Sequence, residues 1–263
     1  MSGPAVIRYK DAAGIAWLTI DHPAKMNAMT YEMWASLPAL VSRAMNDPEI
    51  RFIAVQGGGD KAFSSGADIS QFSTHRTEAE TSNVYGRAVD AGMKALLEAE
   101  KPTIAIIRGT CFGGGCALAL TCDLRIATTD STFRIPAARL GLGYAYDHVA
   151  MLVNKLGASA ATEVLFAAHV LDAQEANRIG IAHRIWPRGI FESEAGAYLA
   201  AIVSNAPLTL RAIKKTLSEL GKPENQRDRA RAEAMITACF GSADYREGQS
   251  AFLEKREPIF RGK

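Results

Sequence analysis

Two stretches of this chain carry residue types suited to polarising a carbonyl group. Ala62-Phe63-Ser64-Ser65-Gly66-Ala67-Asp68-Ile69 and Gly109-Thr110-Cys111-Phe112-Gly113-Gly114-Gly115-Cys116-Ala117 are rich in glycine and small residues, and each follows an apolar, strand-like run. Such loops let a ligand approach the backbone and leave peptide N–H groups free to converge on one oxygen. Two converging donors form an oxyanion hole, which stabilises charge developing on a carbonyl oxygen. Gly114 also opens a helical pattern, whose N-terminus favours negative charge. Taken singly, the same glycines read as ordinary turn formers. A second cluster, Tyr144, Tyr146, Asp147 and His148, offers side chains able to move protons or donate hydrogen bonds. Each also has a structural reading: Asp147 as N-cap of a helix over Val149–Leu156, Tyr144 and Tyr146 as packing, His148 as a surface or supporting group. Arg139 suits pairing with Asp147 or with a substrate carboxylate.

Other chemistries find no support in the spacing. Gly113 and Gly115 fit the start of Gly-x-Gly-x-x-Gly, but position 118 is Leu, so the dinucleotide fingerprint fails. No Gly-Lys-Ser/Thr phosphate loop occurs, and Ser64 and Ser65 lie outside any Gly-x-Ser-x-Gly elbow. Cys111, Cys116, Cys122 and Cys239 form no Cys-x-x-Cys pair, and the five histidines show no ligand spacing. No metal site is expected, and the cysteines read as small buried apolar groups.

The elements that must position these residues follow from periodicity. Ile15–Ile20 reads as a first strand, and Phe52–Gln56 and Thr103–Ile107 as buried strands. Tyr31–Met45 reads as an amphipathic helix started by Thr30, and Asn83–Ala99 as a helix stopped before Pro102. Between them the polar stretch 70–81 reads as a mobile loop. A helix over Gly114–Cys122 precedes short strands at Leu124–Ala127 and Thr132–Ile135. Beyond Asp147 the pattern is almost wholly helical, with a capping box at Asp172–Glu175 and helices over Pro207–Leu220 and Asp228–Phe240. Strand, glycine turn and helix thus recur as an irregular right-handed wind. The class is α/β.

The 263 residues are 48% hydrophobic, enough for a large core, and carry a net charge of +2. There is no basic run to suggest nucleic acid and no apolar stretch near the length of a membrane span. Met1–Lys10 lacks the apolar core of a signal peptide, so a cytoplasmic protein is expected.

Four segments resemble the crotonase family, the enoyl-CoA hydratases and isomerases: HPAKMNAM at 22–29, AFSSGADI at 62–69, KPTIAIIRGTCFGGGCALAL at 101–120 and ADYREGQSAFLEKREPIF at 243–260. They occur in the family's order. The resemblance implies a crotonase-type ββα spiral core over 1–195 and a helical trimerisation region over 196–263, assembling as a homotrimer or homohexamer. It implies an acyl-CoA thioester as substrate, with coenzyme A part of that substrate and no separate cofactor. By position Ala67 and Gly114 match the residues whose N–H groups hold the thioester oxygen. Lys25, Gly66, Asp68, Ile69 and Gly113 match the region lining the CoA site, and Lys255 and Phe260 a segment near the adenine. Lys25 reads equally as a phosphate contact or a solvated lysine. Asp68 reads as a helix cap and Asn27 as a turn former. Family hydratases carry two glutamates, at the positions of Ala117 and Ala137 here. The segment PAARLGLGY resembles methylmalonyl-CoA decarboxylase, which has a tyrosine at the position of Tyr144. The resemblance therefore implies enolate chemistry such as isomerisation or decarboxylation ahead of hydration, with Tyr144 or Asp147 as the polar contact. The alternative is a non-catalytic acyl-CoA-binding or scaffold protein.

Overall fold

The computed structural model describes residues 5–71 and 79–263, with the backbone alone at 69 and 79–83. Residues 72–78 of the expected polar loop lie outside the described residues. The chain divides into two compact units, the first ending at Glu192 and the second comprising Glu100–Pro102 and Ser193–Lys263.

The first unit is built on two sheets. In the larger, the order is β1(Val6–Ala12), β2(Ile15–Asp21), β3(Phe52–Gly57), β5(Thr103–Ile107), β7(Leu124–Thr128), β10(Arg184–Trp186). Only the β1–β2 pair is antiparallel. The central strands are buried on both faces, which is why β3 and β5 read as unbroken apolar runs. Ile15–Ile20 is therefore the second strand. Val6–Ala12 precedes it across an Ala13-Gly14 turn in which both residues have positive φ, 52° and 77°. Its alternation of charged and apolar residues belongs to an edge strand with one exposed face.

The smaller sheet has the order β4(Ala62–Ser64), β6(Thr110–Phe112), β8(Thr132–Arg134), β9(Leu171–Asp172). The two glycine-rich stretches each contain one of its strands, and β4 pairs with β6 in parallel, Ala62 opposite Thr110 and Ser64 opposite Cys111. Segments far apart in the chain thus become neighbours. Strands β9 and β10 also correct the expectation that the chain beyond Asp147 is almost all helix.

Helices cover the sheets. α1(Tyr31–Asn46) is capped by Thr30, whose hydroxyl accepts from the Met33 N–H at 3.3 Å. α2(Ala79–Glu98) starts earlier than its apolar periodicity suggests. It meets α1 at Gly92, where a Cβ would lie 2.9 Å from Leu37 Cδ1 and 3.1 Å from the Trp34 carbonyl oxygen. α3(Gly114–Thr121), α4(Tyr146–Leu156), α5(Ala158–Ala167) and α6(Ala173–Arg178) follow. Asp172 caps α6 as expected, accepting from the Glu175 N–H at 2.8 Å.

α7(Arg188–Val203) runs from the first unit into the second, which holds α8(Pro207–Leu220), α9(Arg229–Gly241) and α10(Ala243–Glu254). The buried Asp244 carboxylate accepts from the N–H groups of Arg261 and Gly262, at 2.7 and 2.8 Å, and so fastens the last residues. Among the described residues no helix is long and apolar enough to cross a membrane.

Candidate active site

Glycine lets the two loops touch. A Cβ on Gly115 would lie 2.6 Å from Ser64 Cβ, and one on Gly66 would lie 3.1 Å from the Phe112 carbonyl oxygen and 3.4 Å from the Gly114 nitrogen. The Gly115 contact leaves no room for a side chain, and the Gly66 contact is tight. Gly66 and Gly113 also take positive φ, 103° and 51°. Ala67 forms a bridge with Met29 in which the Met29 N–H donates to Gly66 O at 2.7 Å and the Asp68 N–H donates to Met29 O at 2.9 Å. That pattern uses the peptides on either side and leaves the Ala67 N–H out. Gly113 is the N-cap of α3 and donates to Arg134 O at 2.7 Å, so Gly114 supplies the first free N–H of the helix. A Cβ on Gly114 would lie 3.9 Å from the Ala67 nitrogen. Two N–H groups thus sit side by side with no acceptor among the described residues. This arrangement can receive an oxyanion.

The first loop is held by side chains. Asn27, buried and at φ 56°, accepts from the His22 N–H at 3.0 Å and donates to Gly58 O at 3.0 Å and Ala62 O at 2.7 Å. It shapes the turn, as its type suggests. Lys25 Nζ donates to Asp68 Oδ1 and Oδ2 at 3.1 and 2.8 Å and to Ser70 Oγ at 2.7 Å. It is half-exposed at the surface, and in this arrangement its ammonium group is matched by Asp68 and Ser70. Asp68 also accepts from the Ser70 N–H at 3.0 Å, opening a single 3-10 turn over Ile69–Gln71 rather than a long helix. Burial raises the Asp68 carboxyl's pKa, but hydrogen bonds from Lys25 and Ser70 outweigh it and hold the group below the ordinary carboxylate value.

Ala117, which the resemblance sets at the first hydratase glutamate, is buried in the first turn of α3, its N–H on Gly113 O at 3.0 Å. Ala137, also buried, opens a 3-10 turn over Ala137–Leu140. The preceding Pro136 stands beside Gly113, its Cδ 3.9 Å from where a Gly113 Cβ would be. Neither alanine can exchange a proton.

The segment 144–148 divides in two. Tyr144 packs against the core, and its hydroxyl is buried without a partner among the described residues. Burial, with Cys116 adding to it, pushes the phenol well above its ordinary pKa. Tyr144 also meets the His148 ring edge-on, centroids 5.7 Å apart. His148 Nε2 lies 3.2 Å from Asp90 Oδ1 on α2. Asp147 and Tyr146, by contrast, are exposed. Asp147 is not an N-cap: α4 starts three residues earlier than expected, Ala145 occupies the cap, and Asp147 sits in the first turn, where its charge meets the helix dipole. Arg139 is likewise exposed.

Two sequence-derived candidates belong to the second unit. Lys255 is the exposed left-handed C-cap of α10. Phe260 covers Gly248, 3.5 Å from where its Cβ would be, and lines an apolar groove of about 810 Å³ with Leu217, Ile236 and Phe252. One residue at the site went unread. Trp34 Cζ2 lies 3.4 Å from where a Gly114 Cβ would be, and its buried Nε1 has no partner among the described residues. Its only sequence signal is an indole N–H in the apolar stripe of α1.

Known proteins share this architecture. The family model for enoyl-CoA hydratase/isomerase matches residues 10–263. A crotonyl-CoA hydratase of Syntrophomonas wolfei is 31% identical over 94% of both chains. A short-chain-enoyl-CoA hydratase of Clostridium acetobutylicum is 29% identical over 92% of both. A crystal structure of an enoyl-CoA hydratase/carnitine racemase from Magnetospirillum magneticum superposes with a TM-score of 0.92 at 30% identity, covering 99% of this chain and 97% of that one. With the paired loops, the two sheets and a family match across nearly its whole length, this chain belongs to the enoyl-CoA hydratase/isomerase family.

Proposed function

We propose that the protein binds an acyl-CoA thioester and stabilises its enolate, with the carbonyl oxygen between the N–H groups of Ala67 and Gly114. The observation that carries this reading is the pair of adjacent N–H groups left unpaired by the Met29 bridge and by the start of α3. Relatives named as hydratases and a carnitinyl-CoA dehydratase support the thioester. Ala117 and Ala137 leave hydration without its two acids, so isomerisation, decarboxylation or another enolate reaction is favoured. Tyr144 is the polar contact preferred over Asp147, because Asp147 faces solvent. With its pKa raised, Tyr144 stays protonated at neutral pH and donates a hydrogen bond rather than acting as a base. Assembly as a homotrimer or homohexamer is part of the same reading, supported by the exposed Phe240, Phe252 and Leu253 of the second unit.

The test is crotonyl-CoA hydration by the purified protein, with thioester binding measured in parallel. Binding is expected, with hydration about 10²-fold or more below ordinary family hydratases, the contribution of positioned acid–base groups. Hydration at their usual rate would overturn the role given to the two alanines. Thioester binding with no turnover of any acyl-CoA, unchanged in Tyr144→Phe, would favour the acyl-CoA-binding or scaffold alternative.

A further inference from the structure

If the site forms an enolate, something must take the proton from the acyl α-carbon. Ala117 and Ala137 cannot, Asp147 is exposed, and Tyr144 is held as a neutral phenol. We propose that His148, oriented by Asp90, is the proton-transfer residue of this site. The inference rests on the acyl-CoA reading above and adds the group that does its proton chemistry.

The placement follows from the helices. α3 carries Gly114 at its first position and packs against both α2 and α4. Asp90 lies on α2 and His148 in the first turn of α4, so their contact ties together the two helices that flank the oxyanion-hole helix. Nε2 meets Asp90 Oδ1 at 3.2 Å. Nε2 is the ring nitrogen that faces this carboxylate, itself largely exposed, which leaves Nδ1 as the other ring nitrogen. The imidazole is 17% exposed, shielded yet reachable. Tyr144 sits edge-on to it at 5.7 Å, with its hydroxyl buried toward the core and under the influence of Cys116, two residues after Gly114 in α3. The packing of α3 against α4, with Tyr144 edge-on to the ring, sets the imidazole on a helix next to the oxyanion-hole helix. Among the described residues, the titratable groups shown beside His148 are Asp90 from α2, Tyr144 from the approach to α4, and Asp147 before it in α4 itself. A carboxylate on one ring nitrogen fixes the tautomer that leaves the other as a base and stabilises the imidazolium once formed.

The step balances without a co-reactant. Nδ1 takes the proton from the α-carbon, and the C–H electron pair becomes the enolate whose oxygen lies between the Ala67 and Gly114 N–H groups. The imidazolium, paired with Asp90, then returns the proton to the α-carbon or, in a 3-enoyl thioester, to the γ-carbon, which moves the double bond into conjugation. His148 is the base in this scheme and Asp90 a positioning residue.

The experiment follows 3-butenoyl-CoA in D₂O by NMR, reading deuterium entry at the α- and γ-carbons, with binding measured separately. The wild-type protein is expected to catalyse exchange. His148→Gln should lower it about 10²-fold or more while binding and melting temperature change little, and Asp90→Asn should lower it less. Because His148→Gln also tests packing, His148→Ala supplies a second readout: added imidazole should restore part of its exchange, which a merely structural histidine would not allow. Exchange by His148→Gln at the wild-type rate, or a slow His148→Ala that imidazole fails to rescue, overturns the proposal. Absence of 3-butenoyl-CoA binding would instead remove the acyl-CoA reading on which it stands, whereas binding without wild-type exchange contradicts His148 alone.

Discussion

Around Ala67 and Gly114 the backbone is held from every side, whereas from Gly141 to Asp147 it is held loosely. In the first region a Cβ on Gly57, Gly109 or Gly115 would lie 2.1–2.6 Å from a neighbouring atom, and Asn27 makes three hydrogen bonds to backbone. In the second, added Cβ atoms on Gly141 and Gly143 meet nothing within 4 Å, and Leu140, Leu142 and Tyr146 are exposed. The difference matches the division of labour. Polarising a carbonyl requires donors fixed before the substrate arrives, and close-packed peptide provides that. In the proposed reaction, acyl selection and proton chemistry fall to side chains on a segment whose changes cost the core little.

The largest expected effect tests the held region. Gly115→Ala drives a methyl into Ser64 and should cost at least about 3 kcal/mol, the upper end for overpacking, seen as loss of folded protein or a steep fall in melting temperature. Gly143→Ala, in open space, should stay within about 0.5 kcal/mol of wild type. Equal effects from the two would break the comparison.

Tyr144→Phe tests the boundary between the regions. Its hydroxyl is buried without a partner among the described residues, so removing it should leave stability unchanged or raise it by about 1 kcal/mol. Stabilisation accompanied by lost turnover would show that the hydroxyl is kept for function.

The smallest effect concerns pH. The two loops differ here too, because the first depends on an ionised pair and the second on glycine packing. Asp68 has a lowered pKa in the folded state, so its contribution is complete above the unfolded carboxylate value, about 3.9, and is lost as pH falls through the folded value. Lys25 is half-exposed, which limits the pair to about 1 kcal/mol or less. Melting curves of wild type and Lys25→Met should therefore differ slightly at neutral pH and converge in acid. A gap that widens in acid would contradict the pairing.

Much of this was legible in the sequence, for identifiable reasons. Buried parallel strands leave unbroken apolar runs, and both glycine clusters announce close approach. Chain-distant contacts were not legible. Nothing local shows that Lys25 meets Asp68, that β4 lies beside β6, or that Asp90 meets His148. The start of α4 is hidden in the sequence because Asp147 has a capping residue's type, whereas the cap is Ala145, which offers no side-chain signal. β1 gives a weak signal because its exposed face carries charge, and Trp34 gives none because a donor inside an apolar stripe reads as core.

The most direct test of the central claim is the carbonyl stretch of bound butyryl-CoA labelled with ¹³C at C1, read by isotope-edited infrared spectroscopy. Two N–H donors on the oxygen should lower the frequency relative to free thioester. Gly114→Pro should remove most of that shift. It deletes one donor at the first helical position, where proline is tolerated. A free-thioester frequency in the fully bound wild-type protein would contradict the oxyanion hole.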